Sequence, residues 1–221
     1  MDVYPIFLIG LGAKRCVVVG GGPEAERKVE GLLDSSAMVT VISAELSDRL
    51  HGWADAGTIA WVPRAYQPGD LQDAFLVIAT TDEPQTNTDI WHEAQTVGAL
   101  LNVVDDPARS TFIAGSVVRQ GPLTLAISTS GCAPTLAVQL RQQLAREFGP
   151  EYAAFLDLMR ELRAPLAARY PDVQQRRALW AMLLESDLLE LLRAGQPDLA
   201  RQLVDVLLGD KVLPETEAVT P

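Results

Sequence analysis

Residues 15–28, Arg-Cys-Val-Val-Val-Gly-Gly-Gly-Pro-Glu-Ala-Glu-Arg-Lys, constrain the fold more than any other stretch. The β-branched run Val17–Val19 predicts a buried strand, and it ends at three glycines. Ala25, Val29, Leu32 and Leu33 then recur at helical spacing. Pro23 suits the first turn of that helix, where its missing N–H has no partner to lose. Gly20-x-Gly22-x-x-Ala25 is therefore a strand–turn–helix carrying the dinucleotide fingerprint, with Ala in the third small position. Gly20 permits the tight turn, Gly22 lets a pyrophosphate approach, and Ala25 lets helix and strand pack closely. The helix N-terminus, at Pro23 and Glu24, offers N–H groups and the positive end of a dipole to phosphates. These five residues are candidate cofactor contacts; a merely tight βα turn is the plainer alternative.

The chain of 221 residues has room for a domain with a real core plus an appendage. Its 48% hydrophobic and 21% charged residues describe a globular protein rather than a disordered one. A net charge of −11 argues against nucleic acid and obliges any anionic ligand to find a local basic pocket. No run approaches the ~20 apolar residues of a membrane span. The start, Met1-Asp-Val-Tyr-Pro, lacks the pattern of a signal peptide, so a cytoplasmic location is expected. Two cysteines make neither a disulfide framework nor a zinc quartet, and Cys16 reads as a buried small hydrophobe.

Tyr4-Pro-Ile-Phe-Leu is an apolar arm, expected to cover the bottom of the sheet rather than add an edge strand. Further strands are predicted at 38–42, 59–62, 75–79 and 100–104, with helices at 45–56 and 84–97. Five strands separated by helical segments imply an α/β fold with a Rossmann-like, doubly wound parallel sheet. The second strand ends at Ser43 where NAD enzymes usually place an acid, with Glu45 two residues on. Glu45 would repel a 2′-phosphate and no arginine follows at once, so NAD is favoured over NADP. Thr80, Thr81 and Asp82 end the fourth strand and can line a cofactor or cap the next helix. Val104, at the end of the fifth, completes the candidate cofactor contacts.

After Asp105 the pattern changes. Residues 111–118 and 123–128 read as an antiparallel ribbon around Gln120-Gly-Pro122. A helix from Pro134 follows, its Leu136, Leu140, Leu144 and Phe148 making an apolar stripe for a partner or for the carboxy-terminal helices. Residues 152–208 are Leu-rich and helical, and the end of the chain reads as a tail. The expected division is a Rossmann domain at 1–110, a small ribbon-and-helix dimerisation segment at 111–149, an all-α region at 150–209 and a tail at 210–221.

Val18-Val-Gly-Gly-Gly-Pro-Glu-Ala-Glu-Arg-Lys28, Phe75-Leu-Val-Ile-Ala-Thr-Thr-Asp82 and Asn102-Val-Val-Asp-Asp-Pro107 occur in this order. Phe112-Ile113, Leu125-Ala-Ile-Ser-Thr-Ser-Gly131 and Pro134-x-Leu-Ala137 complete the set. The chain resembles the precorrin-2 dehydrogenase/sirohydrochlorin ferrochelatase family, the amino-terminal module of siroheme synthases. The likeness is strong over residues 1–148 and one of layout beyond. It implies NAD-dependent oxidation of the tetrapyrrole precorrin-2 to sirohydrochlorin, for siroheme or cobalamin. In many members it also implies insertion of Fe²⁺, as a substrate, to give siroheme. It further implies a homodimer intertwined through the middle segment. The methyltransferase module of fused siroheme synthases does not follow, so a stand-alone form is expected. Gly115 stands where the family usually has proline, and Cys132 where it usually has Gly or Ser.

Asp105 matches the family's catalytic aspartate and is the candidate base; a turn-capping role is the alternative. Asp106, beside Pro107, reads as a turn residue. Arg109, Arg119 and Arg141 are candidate forks for substrate carboxylates, or ordinary surface charge. Ser128 matches a family position near the pocket, or simply caps its loop. Cys132, with His51 and His92 the only histidines, makes a poor chelating site, so no resident metal is expected. A dehydrogenase without chelatase activity and an NAD-binding sensor module are the rival readings.

Overall fold

The computed structural model describes residues 3–209. The expected tail at 210–221 lies outside them. The described residues form two compact units, one of residues 4–114 and one of Val3 with residues 115–209.

The first unit is built on five parallel strands: β1 (Arg15–Val19), β2 (Met38–Ile42), β3 (Ala60–Val62), β4 (Leu76–Ala79) and β5 (Leu100–Val103). Their order is β3-β2-β1-β4-β5, with Val17 flanked by Thr40 and Val77. Every residue of β4 and residues 16–19 of β1 are buried, which is why these strands read as unbroken apolar runs. Alternate side chains feed two cores. Cys16 and Val18 meet Ala25 and Val29 of α1 (Pro23–Leu33) and Leu50 of α2 (Asp48–Asp55). Val17 and Val19 meet Ile90 and Ala94 of α3 (Pro84–Val97). Each fully buried Val, Leu or Ile contributes about 1.5–3 kcal/mol. The connection from β3 to β4 is tied down by Glu93, which accepts from Gly69 N (3.0 Å), Leu71 N (2.8 Å) and the Tyr66 hydroxyl.

Several expectations are corrected. The apolar arm is exposed at Tyr4, Ile6, Phe7 and Ile9 and forms no regular structure, so it neither pairs with nor covers the sheet; Leu11 is buried instead. The second helix begins at Asp48 rather than residue 45, because Ser47 caps it through Leu50 N. Ile59, Phe75 and Val104 flank their strands, although Val104 N still donates to Ala79 O at 2.9 Å. No strand begins at Thr111. Residues 110–112 instead turn back on β5. Thr111 N donates to Leu101 O (2.7 Å), Leu101 N to Thr111 Oγ1 (2.7 Å) and Asn102 Nδ2 to Phe112 O (3.1 Å). An edge strand is thereby covered.

In the second unit β6 (Ser116–Gln120) and β7 (Leu123–Ile127) form the antiparallel ribbon, and α4 (Pro134–Glu147) lies against it. Of the expected stripe, Leu136 is exposed and Leu140, Leu144 and Phe148 are half-buried. Helices α5 (Glu151–Arg169), α6 (Val173–Leu184), α7 (Leu188–Arg193) and α8 (Pro197–Leu208) enclose a separate core of Phe155, Leu158, Leu162, Leu166, Leu183, Leu188 and Val204.

Candidate functional site

The residues after β2 and β4 close on the glycine turn that follows β1, at the carboxyl edge of the sheet, where open parallel sheets bind ligands. Gly20 has φ 118°, and a Cβ there would meet Thr80 Oγ1 at 2.2 Å. Thr80 cannot easily yield, since its N and Oγ1 both donate to Val19 O, at 2.9 and 3.0 Å. Gly21 is as tightly enclosed. Its carbonyl accepts from Ser47 N at 2.8 Å, and Ser43 Oγ donates to Glu45 O at 2.7 Å beside it. Gly22 differs from both. It is the N-cap of α1, no side chain caps that helix, and a Cβ on it would meet nothing within 4 Å. Open space before an uncapped helix N-terminus fits a pyrophosphate. Pro23 occupies the first turn as expected, and Ala25 is fully buried where helix meets sheet.

The Glu24 carboxylate is turned to Arg27 and to Lys28 Nζ (3.1 Å), so any contact from Glu24 to a phosphate falls to its backbone. Lys28 escaped the sequence reading, although its spacing four residues after Glu24 was the available signal. Burial, followed by the charge of Arg27, lowers its pKa, while the charge of Asp105 acts in the opposite sense.

Asp105 is exposed and stands in the left-handed region at φ 60°. Such a conformation costs a side chain energy, though Asp and Asn tolerate it best. Asp106 takes the turn role: its carboxylate accepts from Ala108 N (3.1 Å) and Arg109 N (3.2 Å) and pairs with the Arg109 guanidinium. That guanidinium, then the backbone donors, hold Asp106 below the usual carboxylate range. Arg109 is thus already engaged by an acid of its own turn.

Thr81 Oγ1 accepts from Glu83 N (3.1 Å) and Thr81 O accepts from Asn87 Nδ2 (2.8 Å). The N-cap of α3 is Glu83, with no side-chain bond, so Thr80, Thr81 and Asp82 do not cap that helix. Asn87 is a second residue the sequence reading missed, for an isolated Asn inside a helix gives no signal of its own.

Arg119, Ser128 and Arg141 belong to the second unit. Arg119 lies on β6 opposite Thr124, Arg141 is half-buried on α4, and Ser128 Oγ accepts from Ser130 N at 3.1 Å in the loop after β7. Cys132 is exposed. His51 packs edge-on against Trp61, and His92 lies tilted against Trp91. Among the described residues no group of three or more His, Cys, Asp or Glu could hold a metal ion. None of their helices is long and apolar enough to cross a membrane.

Three family models match the chain in succession. An NAD(P)-binding model matches residues 7–116, the sirohaem biosynthesis protein central model residues 120–147, and the sirohaem synthase dimerisation region residues 151–208. Siroheme synthase 1 of Aeromonas salmonicida is 38% identical over 220 residues, covering 99% of this chain and 47% of that protein. The siroheme synthase of Nitrosococcus oceani is 33% identical over 215 residues, covering 97% and 46%. The chain spans about half the length of these curated relatives. Among solved structures, SirC, precorrin-2 dehydrogenase, superposes with a TM-score of 0.74 at 21% identity, covering 92% of this chain and all of that one. That likeness carries the fold.

Proposed function

The chain belongs to the siroheme synthase family, whose NAD(P)-binding, central and dimerisation regions it carries in order, and from that premise we propose that it oxidises precorrin-2 to sirohydrochlorin with NAD⁺. The observation that carries the reading is the open, uncapped N-terminus of α1 at Gly22, on the same sheet edge as Asp105. Gly20, Gly22, Pro23, Glu24 and Ala25 would receive the pyrophosphate, with Thr80, Thr81, Asp82 and Val104 along the strand ends. Ser43, at the end of β2, would meet the adenosine ribose. Glu45 is exposed there, and Arg49, the next cation along the chain, pairs with Glu30 and stacks over Trp53. A 2′-phosphate would meet an acid, which favours NAD over NADP.

Bound nicotinamide supplies a hydride acceptor; the chain supplies orientation and a base. Asp105, exposed at the mouth of the site, would take the proton lost from the substrate. Arg109, Arg119, Arg141 and Ser128 are proposed contacts for the carboxylate-rich tetrapyrrole. With Fe²⁺ as a second substrate, the same base would accept pyrrole protons during metal insertion. The proposed setting is cytoplasmic and the proposed assembly a homodimer; the matched dimerisation region, residues 151–208, supports assembly, and residues 111–149 are proposed as part of its seam. The test is an absorbance assay: purified protein with precorrin-2 and NAD⁺ should generate NADH. Tight NAD⁺ binding without turnover would make the chain a sensor module instead. Addition of Fe²⁺ to sirohydrochlorin, against a protein-free control, tests chelation.

A further inference from the structure

Asn87 closes the first turn of α3, its backbone N donating to Glu83 O at 3.0 Å. Its side chain turns back, and Nδ2 donates to Thr81 O at 2.8 Å. That bond fixes which way the amide faces, since the flipped amide would set oxygen against oxygen. Oδ1 is left sealed from solvent with no hydrogen-bond partner, the single such side-chain atom among the described residues. A side chain serving only the fold would ordinarily have both ends satisfied, because a buried acceptor without a donor is costly.

Its position gives the unmet acceptor a meaning. Thr81 belongs to the segment Thr80–Glu83, and Thr80 stands against the Gly20 turn, its Oγ1 2.2 Å from where a Cβ on Gly20 would lie. Asn87 therefore anchors one wall of the glycine turn from behind.

We propose that Asn87 is a positioning residue for the dinucleotide. Its Nδ2 holds the Thr80–Glu83 segment at the sheet edge. Its Oδ1 receives an N–H or O–H donor only when that segment settles on a bound dinucleotide, whose ribose hydroxyls and carboxamide carry such donors. The free protein thus holds one hydrogen bond in reserve for the bound state. The inference rests on the dinucleotide reading above.

Asn87→Leu, of similar size and without polar atoms, tests it through NAD⁺ titration calorimetry and ligand-free melting. NAD⁺ should bind about tenfold more weakly, equivalent to about 1.4 kcal/mol. The ligand-free Tm should change little, because loss of the Nδ2–Thr81 O bond is offset by removal of the unmet acceptor. Amide exchange over residues 80–90 should slow on adding NAD⁺ to the wild type and respond less in the variant. Equal NAD⁺ affinity in the two proteins overturns the inference alone. So does a clearly lowered ligand-free Tm, which would make Asn87 an ordinary structural residue. Failure of the wild type to bind NAD⁺ overturns the dinucleotide reading itself, and this inference with it.

Discussion

Gly21 and Glu45 approach so closely that a Cβ on Gly21 would lie 1.9 Å from Glu45 O. The fingerprint counts Gly21 as a free position between its two required glycines, yet here the loop after β2 excludes any side chain. Ser47 N reinforces the approach by donating to Gly21 O at 2.8 Å. Gly21→Ala must displace backbone rather than a flexible side chain, an overpacking worth about 1–3 kcal/mol. Its Tm should fall by about 2–4 °C for each kcal/mol lost. Calorimetric melting decides the point, and an unchanged Tm would show that the loop yields freely.

Gly22→Asp should behave in the opposite way. A Cβ there meets nothing within 4 Å, so the variant should fold with a Tm close to wild type. Its carboxylate would occupy the space before the α1 N-terminus and repel a pyrophosphate. NAD⁺ binding should be abolished, as read by titration calorimetry. Unchanged affinity in a folded variant would remove the fingerprint assignment.

Much of this was legible because two periods dominate the sequence. The unbroken apolar runs of β1 and β4 could only be strands covered on both faces, and Pro23, Gly98 and Pro134 marked helix limits that the structure repeats. What stayed hidden depends on contacts distant in sequence. Thr111 read as the start of the ribbon, but its hydroxyl oxygen accepts from Leu101 N and ties it to β5. Tyr4–Leu8 read as an arm covering the sheet and is exposed. Asn87 gave no sign because its interest lies in what the two ends of its amide meet, which no spacing encodes.

Acid should loosen the connection between β3 and β4 through Asp70. Paired hydrogen bonds from Arg64, at 2.7 Å each, hold its carboxyl below the usual carboxylate range. A folded pKa depressed from about 3.9 gives stability that is present above that value and lost as pH falls through the folded one. Asp70→Asn should therefore have a lower Tm than wild type at pH 6, and the gap should narrow once pH falls below the usual carboxylate range and close as Asp70 itself becomes protonated. A gap that persists at low pH would mean that the pair adds nothing through its charge.

The dimer should depend on α4. On α4 Leu136 is 46% exposed and Val138 43%, and Val117 of β6 is 38% exposed. Exposed apolar side chains on this segment suit an interface between copies of the chain. Leu136→Glu together with Leu140→Glu should shift a homodimer to monomer in light scattering at micromolar concentration. A wild-type monomer under the same conditions would contradict the assembly.

Asp105→Asn bears most directly on catalysis. Asp105 stands past the end of β5 with φ 60°, a conformation that Asn adopts about as readily as Asp, so the replacement should leave the turn intact. The neighbouring Asp106 is committed to Arg109 and two backbone N–H groups, and cannot readily serve in its place. Loss of a general base typically lowers rate by about 10²–10⁴-fold. The variant should keep NAD⁺ affinity, Tm and oligomeric state while NADH formation from precorrin-2 falls within that range. If one carboxylate accepts protons in both reactions, Fe²⁺ insertion into sirohydrochlorin should fall with it, and a fall in one reaction alone would assign the other proton to a different group. Near-wild-type turnover would leave Asp105 as a turn residue and pass the proton to solvent or to another side chain.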